Sequence, residues 1–334
     1  MVEITKMKAE KQKAEKEAFF CTTKELSRLG LEQIPTQFQS HKHLIYSSPA
    51  TLAFNSPGAE GFGVKRAGLA VPDSIMLIVA PGCCGRNTSL ISSMKEYNDR
   101  FYYLMMDETD IVTGRHLKKI PKAVEEICSV CPKKPSVVMI CITCVDALLG
   151  TDMERVCKKA EEQVEIPVRP CYMYALTREG RKPPMVHVRQ SLYSLLEPGK
   201  KKGNVVNLLG FFSPLVDDCE IYDLLHSAGV KTIHEISRCK DYKEYQTMSE
   251  ANFNLVLHHE ARFAAEDFHN RLQIPFIELR RLYQIDKIEN QYHALGNALG
   301  VAFYDEKYKK QAEDALEKFQ AEVVRMLLLQ SENA

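Results

Sequence analysis

Residues 75–85 read IMLIVAPGCCG, an apolar run of strand length that a Pro-Gly turn ends just before two cysteines. Residues 137–144 repeat the pattern, because the run VVMICI is followed by Thr143 and Cys144. Short apolar runs bounded by turn residues are typical of strands that are buried on both faces of a parallel sheet. The two stretches therefore predict an α/β fold in which cysteines follow two buried strands.

The segments around these strands alternate between strand and helix. Apolar residues at strand or helix spacing predict the following elements: a strand at Phe101–Met106, a helix at Leu117–Ser129, a helix at Met153–Gln163 and a strand at Val168–Tyr174. This order is typical of a doubly wound parallel sheet, whose functional residues lie at the carboxyl ends of the strands.

A Pro-Gly-Lys-Lys-Lys-Gly run at residues 198–203 has the composition of a linker, and a second cycle of strands and helices follows it. We therefore predict two Rossmann-like α/β domains with parallel sheets, a helical N-terminal arm and a long C-terminal helix. The predicted bounds are 1–30 for the arm, 31–197 for the cysteine-bearing domain, 204–300 for the second domain and 301–334 for the C-terminal helix.

Composition narrows the class of protein. The 44 basic and 44 acidic residues give a formal net charge of zero, so no nucleic acid and no anionic membrane is predicted as a partner. The charged N-terminus lacks the apolar segment of a secretory signal, and no apolar run is long enough to span a bilayer. We therefore expect a cytoplasmic protein whose eleven cysteines remain reduced thiols.

The cysteines at the strand ends are the residues most suited to a chemical role. Adjacent crossovers would bring Cys83, Cys84 and Cys144 to one edge of the sheet, where thiolates and turn N–H groups suit an iron–sulfur cluster.

A zinc site is the competing interpretation, because Cys128-x-x-Cys131 and Cys141-x-x-Cys144 form two CxxC pairs. The second pair begins inside a predicted strand, where residues three apart start on opposite faces. This spacing argues against zinc.

A set of motifs resembles the component 1 subunits of nitrogenase and their relatives. Each motif is weak alone, but the set runs in family order across roughly residues 50–300. The motifs are VAPGCC at 79–84, MDETDIVTGRHLKKIPKAV at 106–124, ITCVDALLGTD at 142–152, VVNLLG at 205–210, ANFNLVL at 251–257 and LQIPFIEL at 272–279.

The resemblance implies cluster ligands at Cys144 and at either Cys83 or Cys84, since one residue is missing from the first motif. Asn55 stands where the family has a third cysteine, which leaves two thiolates per subunit. Two per subunit favour a [4Fe–4S] cluster shared between two subunits. The chain is then expected to form a homodimer or a heterodimer with a second component 1-like chain.

The resemblance also implies a function. The chain would be a subunit of an electron-transfer oxidoreductase that accepts electrons from an ATP-dependent iron-protein-like reductase. This sequence contains no G-x-x-x-x-G-K-[ST] loop, so ATP must be bound elsewhere, and the resemblance implies a P-loop iron–sulfur ATPase as the partner that binds it.

The sequence departs from the family in two further ways, and the expected loss of a third domain favours an alternative function. The sequence ends after a helix like the one that precedes a third α/β domain in the family, so a shortened subunit is expected. His259 stands in the place of a cofactor-binding cysteine and is a candidate metal ligand beside His258. The alternative is a non-catalytic scaffold for iron–sulfur or cofactor assembly, and the sequence does not define a substrate.

Overall fold

The computed structural model describes residues 28, 63–82, 97, 99–143, 149–172, 182–282, 284–303 and 306–332, with side chains through residue 325. All of these except residue 28 belong to one compact unit, Ile45–Ala334. The predicted helical arm, apart from residue 28, lies outside the described residues.

The first sheet has four parallel strands in the order β2-β1-β3-β4. The strands are β1 at Ile75–Ala80, β2 at Phe101–Met105, β3 at Val138–Ile142 and β4 at Val168–Tyr172. Every residue of β1 and β3 is buried, which explains why their sequences are apolar throughout rather than alternating.

Helices cover both faces of this sheet. They are α1 at Val64–Ala67, α2 at Glu108–Thr113, α3 at His116–Val130, α4 at Met153–Val164 and α5 at Pro184–Tyr193. Ile120 and Val124 of α3 and Cys157 of α4 pack with Leu77 and Val79 of β1. This cluster is the outer core of the first sheet.

The second sheet repeats the plan of the first, with four parallel strands in the order β6-β5-β7-β8. The strands are β5 at Val205–Leu209, β6 at Thr232–His234, β7 at Phe253–Val256 and β8 at Phe276–Glu278. The helices that follow are α6 at Glu220–Ser227, α7 at Tyr242–Gln246, α8 at Arg262–Leu272, α9 at Ile285–Leu299 and α10 at Glu306–Glu332.

An inner core joins the two sheets. Met139 of β3 and Leu209 of β5 belong to the same buried cluster, which also contains Val188 and Leu192 of α5 and Phe268 of α8. Burial of this much apolar surface is the main stabilising contribution to the arrangement. The prediction of an α/β fold with two parallel sheets is confirmed.

The start of α2 carries a buried carboxylate that predicts a pH dependence of stability. Asp110 accepts hydrogen bonds from Lys119 Nζ at 2.6 Å and Arg115 Nε at 2.7 Å, and these bonds lower its pKa to about 2. Because this pKa lies below that of an unfolded aspartate, the stabilisation is complete above about pH 4. It is lost as the pH falls through the folded value.

We expect Asp110→Asn to lower the thermal midpoint at neutral pH and to flatten its fall between about pH 4 and pH 2. Thermal unfolding at several pH values measures this. Glu108→Gln is the matched control, because Glu108 is an exposed acid in the first turn of the same helix. An Asp110→Asn profile parallel to that of the wild type would contradict the assignment.

Candidate functional site

The strand order of the first sheet reverses between β1 and β3. These two strands are parallel neighbours, and Val79 near the end of β1 is the register partner of Ile142 at the end of β3. In doubly wound folds, ligands bind outside the carboxyl ends of the strands at such a point. We call this region the first switch point.

The predicted cluster ligands follow these strand ends in the sequence. Gly82 and Thr143 are the last described residues before Cys83–Cys84 and Cys144, and the three cysteines themselves lie outside the described residues. Thr143 is 1% exposed, and its hydroxyl has no hydrogen-bond partner within the described part of the chain. Burying a hydroxyl without a hydrogen-bond partner costs free energy. A hydrogen-bond acceptor bound at this edge would remove that cost.

The competing zinc site is excluded by the faces of the sheet. Cys141 is fully buried in the inner core, whereas Cys128 and Cys131 pack against the outer core on the opposite face. A tetrahedral zinc ion holds its sulfur ligands at about 2.3 Å, so one ion cannot bind cysteines on both faces.

The second sheet has the same reversal, between β5 and β7. Leu209 and Val256 are register partners, Gly210 and Phe211 follow β5, and His258 follows β7 after one residue. Gly210 has φ +146°, and a Cβ at this position would lie 2.7 Å from His258 N. Only glycine accommodates both the backbone angle and this approach. We call this region the second switch point.

Aromatic rings line the second switch point. The rings of His258 and His259 stack with centroids 4.5 Å apart, and Phe211 meets His258 edge-on at 5.8 Å. His258 Nδ1 accepts a hydrogen bond from the Glu260 N–H at 3.3 Å, which assigns the proton of the neutral ring to Nε2.

His259 is exposed beside His258. Among the residues that the structure describes, no group of three or more histidine, cysteine, aspartate or glutamate side chains forms a metal site. His259 as a metal ligand stays a prediction.

A buried arginine behind the histidines fixes both strand ends. Arg189 of α5 contacts Glu260 Oε2 at 2.8 Å, and both side chains are almost completely buried. The same guanidinium donates to the carbonyl of Gly210 through Nε at 3.1 Å and Nη2 at 2.5 Å, and to that of Met185 at 2.9 Å. It also lies 4.7 Å from the centroid of the Phe212 ring. The contacts bind the segment after β5 to the segment after β7.

Glu235 fixes the longer loop that follows β5. Its buried carboxylate accepts hydrogen bonds from the Leu215 N–H at 3.0 Å, from Arg238 Nε at 2.9 Å and from the Tyr222 hydroxyl. Burial and the contact with Glu235 raise the pKa of Tyr222 to about 12, so this hydroxyl remains a donor at neutral pH.

Sequence reasoning missed Arg189 and Glu235. The signal for Arg189 was a single arginine among the apolar positions of residues 184–193, because a charge at such a position is seldom buried without a partner.

Two four-strand parallel sheets of the same order, each with its own switch point, define a doubly wound α/β protein of repeated architecture. Residues 60–327 match the family described as Nitrogenase component 1 type Oxidoreductase, and the chain belongs to this family.

Among its relatives is the nitrogenase iron-molybdenum cofactor biosynthesis protein NifE of Nostoc sp., at 25% identity over 81% of this chain and 58% of the relative. The proteins of the same name from Clostridium pasteurianum and Klebsiella pneumoniae are 24% and 25% identical, covering 74% and 69% of this chain and 54% and 53% of their own lengths.

A solved structure titled Nitrogenase Cp1 at pH 6.5 superposes with a TM-score of 0.56 at 18% identity, over 75% of this chain and 59% of that one. At this identity the likeness supports the fold alone. The chain spans little more than half the length of the relatives that it matches. Within the described ranges, no helix combines the length and the apolar character that crossing a membrane requires.

Proposed function

We propose that the chain binds an iron–sulfur cluster through Cys144 and through Cys83 or Cys84. The observation that carries the proposal is the pairing of β1 with β3 at the first switch point, because the cysteine-bearing segments continue from these neighbouring strand ends. Thiolates are the usual ligands of such clusters. With two thiolates from each chain, a [4Fe–4S] cluster shared between two subunits has its four ligands.

The buried Thr143 hydroxyl supports a polar acceptor at this edge. It precedes Cys144 directly and has no hydrogen-bond partner in the described part of the chain. Sulfur atoms of a cluster accept hydrogen bonds, and such bonds help to set the reduction potential. When bound, the cluster supplies one-electron transfer, and the role of Thr143 is to donate toward it.

The relatives favour a scaffold role. Those named above are all cofactor biosynthesis proteins, so we propose that this chain holds a metal–sulfur cluster during cofactor assembly. The name of the family supports a second candidate, an electron-transfer subunit. In that role the chain would accept electrons from a P-loop iron–sulfur ATPase reductase. Both roles use a homodimer or a heterodimer with a component 1-like chain, in the cytoplasm.

Anaerobic reconstitution with iron and sulfide tests cluster binding. Cys144→Ala is expected to reduce bound iron and visible absorbance roughly tenfold or more, since removal of a ligand weakens metal binding beyond the effect of an outer-shell change. One of Cys83→Ala and Cys84→Ala should have the same effect. Cys219→Ser, at a half-buried cysteine before α6, is the control and should retain the cluster. A colourless wild-type protein would refute both roles.

Two assays separate the roles once a cluster is bound. A scaffold should transfer iron and sulfide to an apo-acceptor protein without ATP. An electron-transfer subunit should instead show reduction of its cluster only when ATP and a P-loop iron–sulfur reductase are both present. Iron analysis of the acceptor and electron paramagnetic resonance of the chain measure the two outcomes.

A further inference from the structure

Two free cysteines lie one helical turn apart at the carboxyl end of α3. Cys131 follows the last helical residue, and its N–H donates to the Ile127 carbonyl at 3.0 Å, so helical geometry continues from Cys128 to Cys131. Side chains three apart on a helix are neighbours, with Cβ atoms about 5–6 Å apart. Disulfides need Cβ atoms about 3.5–4.5 Å apart, so a small adjustment at the helix end brings the two sulfurs together.

Cys131 lies beside solvent-accessible space. A cavity of about 300 Å³ at the amino edge of the first sheet is lined by Cys131 and by Asp73, Lys133 and Lys134. Cys128 and Cys131 are both half-buried against the outer core, but of the two only Cys131 lines this cavity. An incoming reagent therefore reaches Cys131 first, and Cys128 is placed to react second.

Tyr102 of β2 supplies a partner for the accessible sulfur. Its hydroxyl lies 3.2 Å from Cys131 Sγ. The hydrogen bond with Cys131 raises the pKa of Tyr102 to about 12, so the hydroxyl keeps the proton that it can donate to a thiolate. Lys133 and Lys134 line the same cavity, where Lys133 Nζ forms an ion pair with Asp73 Oδ2 at 2.7 Å.

The other cysteine pair of the described chain provides a contrast. Cys141 and Cys171 are register partners on β3 and β4, and both are 0% exposed in the inner core. Reagents cannot reach these sulfurs in the folded protein. The Cys128–Cys131 pair therefore differs from the Cys141–Cys171 pair in that a reagent can reach one of its sulfurs.

We propose that Cys128 and Cys131 form a reversible dithiol–disulfide site, in which Cys131 is the attacking thiol, Cys128 the resolving thiol and Tyr102 the hydrogen-bond donor. The oxidant class is a small disulfide such as oxidised glutathione. The Cys131 thiolate attacks one sulfur of the oxidant, breaks its S–S bond and releases one thiolate. The Cys128 thiolate then attacks Cys131 Sγ and releases the second thiolate. The protein loses two electrons and two protons, and the oxidant becomes two thiols.

Glutathione redox buffers followed by peptide mapping test the proposal on the full chain under anaerobic conditions. After equilibration the protein is alkylated in denaturant, so that only a covalent S–S bond escapes the label. Cleavage after Lys122 and Lys133 releases residues 123–133, which contain both cysteines and no other. We expect this peptide to change from doubly labelled to unlabelled, with the loss of two hydrogens. The peptide that carries Cys157 should remain labelled in the same buffers.

Variants separate the site from general oxidation. Cys128→Ser should leave Cys131 as a mixed disulfide with glutathione, whereas Cys131→Ser should abolish rapid oxidation of the peptide. Tyr102→Phe should slow alkylation of native Cys131 by about threefold to tenfold, because the thiolate loses a donor. The control Tyr103→Phe, at an exposed residue of the same strand, should leave the rate unchanged.

Three results would overturn the proposal. The first is a peptide that stays doubly labelled in fully oxidised glutathione. The second is oxidation that reaches Cys157 at the same potential. The third is equal alkylation rates in Tyr102→Phe and wild type, which would remove Tyr102 from the site.

Discussion

Replacing Arg189 with methionine is expected to lower the free energy of unfolding by about 3–5 kcal/mol. The substitution removes the guanidinium that pairs with Glu260 at 2.8 Å, and it leaves a buried carboxylate without its opposite charge. The carbonyls of Gly210 and Met185 lose the same donor. An uncompensated buried charge costs more than the lost pair had contributed, so the effect exceeds that of removing an exposed ion pair.

Urea unfolding followed by circular dichroism measures the change. Arg262→Met is the matched control, because Arg262 forms an ion pair with Glu266 at 3.2 Å and both side chains are about half exposed. That control should lose less than about 1 kcal/mol. The double variant Arg189→Met/Glu260→Met should recover much of the loss, since no charge is left buried. If Arg189→Met and Arg262→Met lowered the free energy of unfolding by similar amounts, the buried ion pair would not stabilise the fold more than an exposed one.

Gly210→Ala is expected to destabilise the protein by about 2–6 kcal/mol, the sum of an unfavourable backbone angle and an overpacked contact. The added Cβ would lie 2.7 Å from His258 N and 2.8 Å from His258 Cβ. The backbone on both sides would have to separate, which would disturb the stacked histidine rings. Thermal and urea unfolding both report the loss.

Gly229→Ala isolates the backbone contribution. Gly229 also has a positive φ, +86°, but a Cβ there meets no atom within 4 Å. We expect this control to lose only about 1–2 kcal/mol. Equal losses at the two glycines would mean that the approach of His258 does not constrain residue 210.

Much of the fold follows from local sequence. The apolar runs of β1 and β3 predicted buried parallel strands, and both lie side by side in the first sheet. Helix α9 was missed, although Ile285, Ile288 and Tyr292 recur at helical spacing. The run 285–299 also contains several polar residues between these positions, and no strand follows it in the described part of the chain to complete a cycle.

One candidate site could also be predicted from the sequence, and another could not. Cysteines that follow two predicted strands were visible as a pattern, because chain order and sheet edge are linked in parallel folds. The Arg189–Glu260 pair joins residues 71 positions apart, and no periodicity relates them. Such a pair depends on how α5 packs between the sheets, which is a property of the tertiary structure.

The two sheets share one strand order, but different residues follow their central strands. The register pair Val79 and Ile142 at the ends of β1 and β3 corresponds to the register pair Leu209 and Val256 at the ends of β5 and β7. In the sequence, cysteines follow β1 and β3, whereas Phe211 and His258 follow β5 and β7. The two edges can therefore diverge in ligand preference by substitution alone, without any change in the topology that supports them.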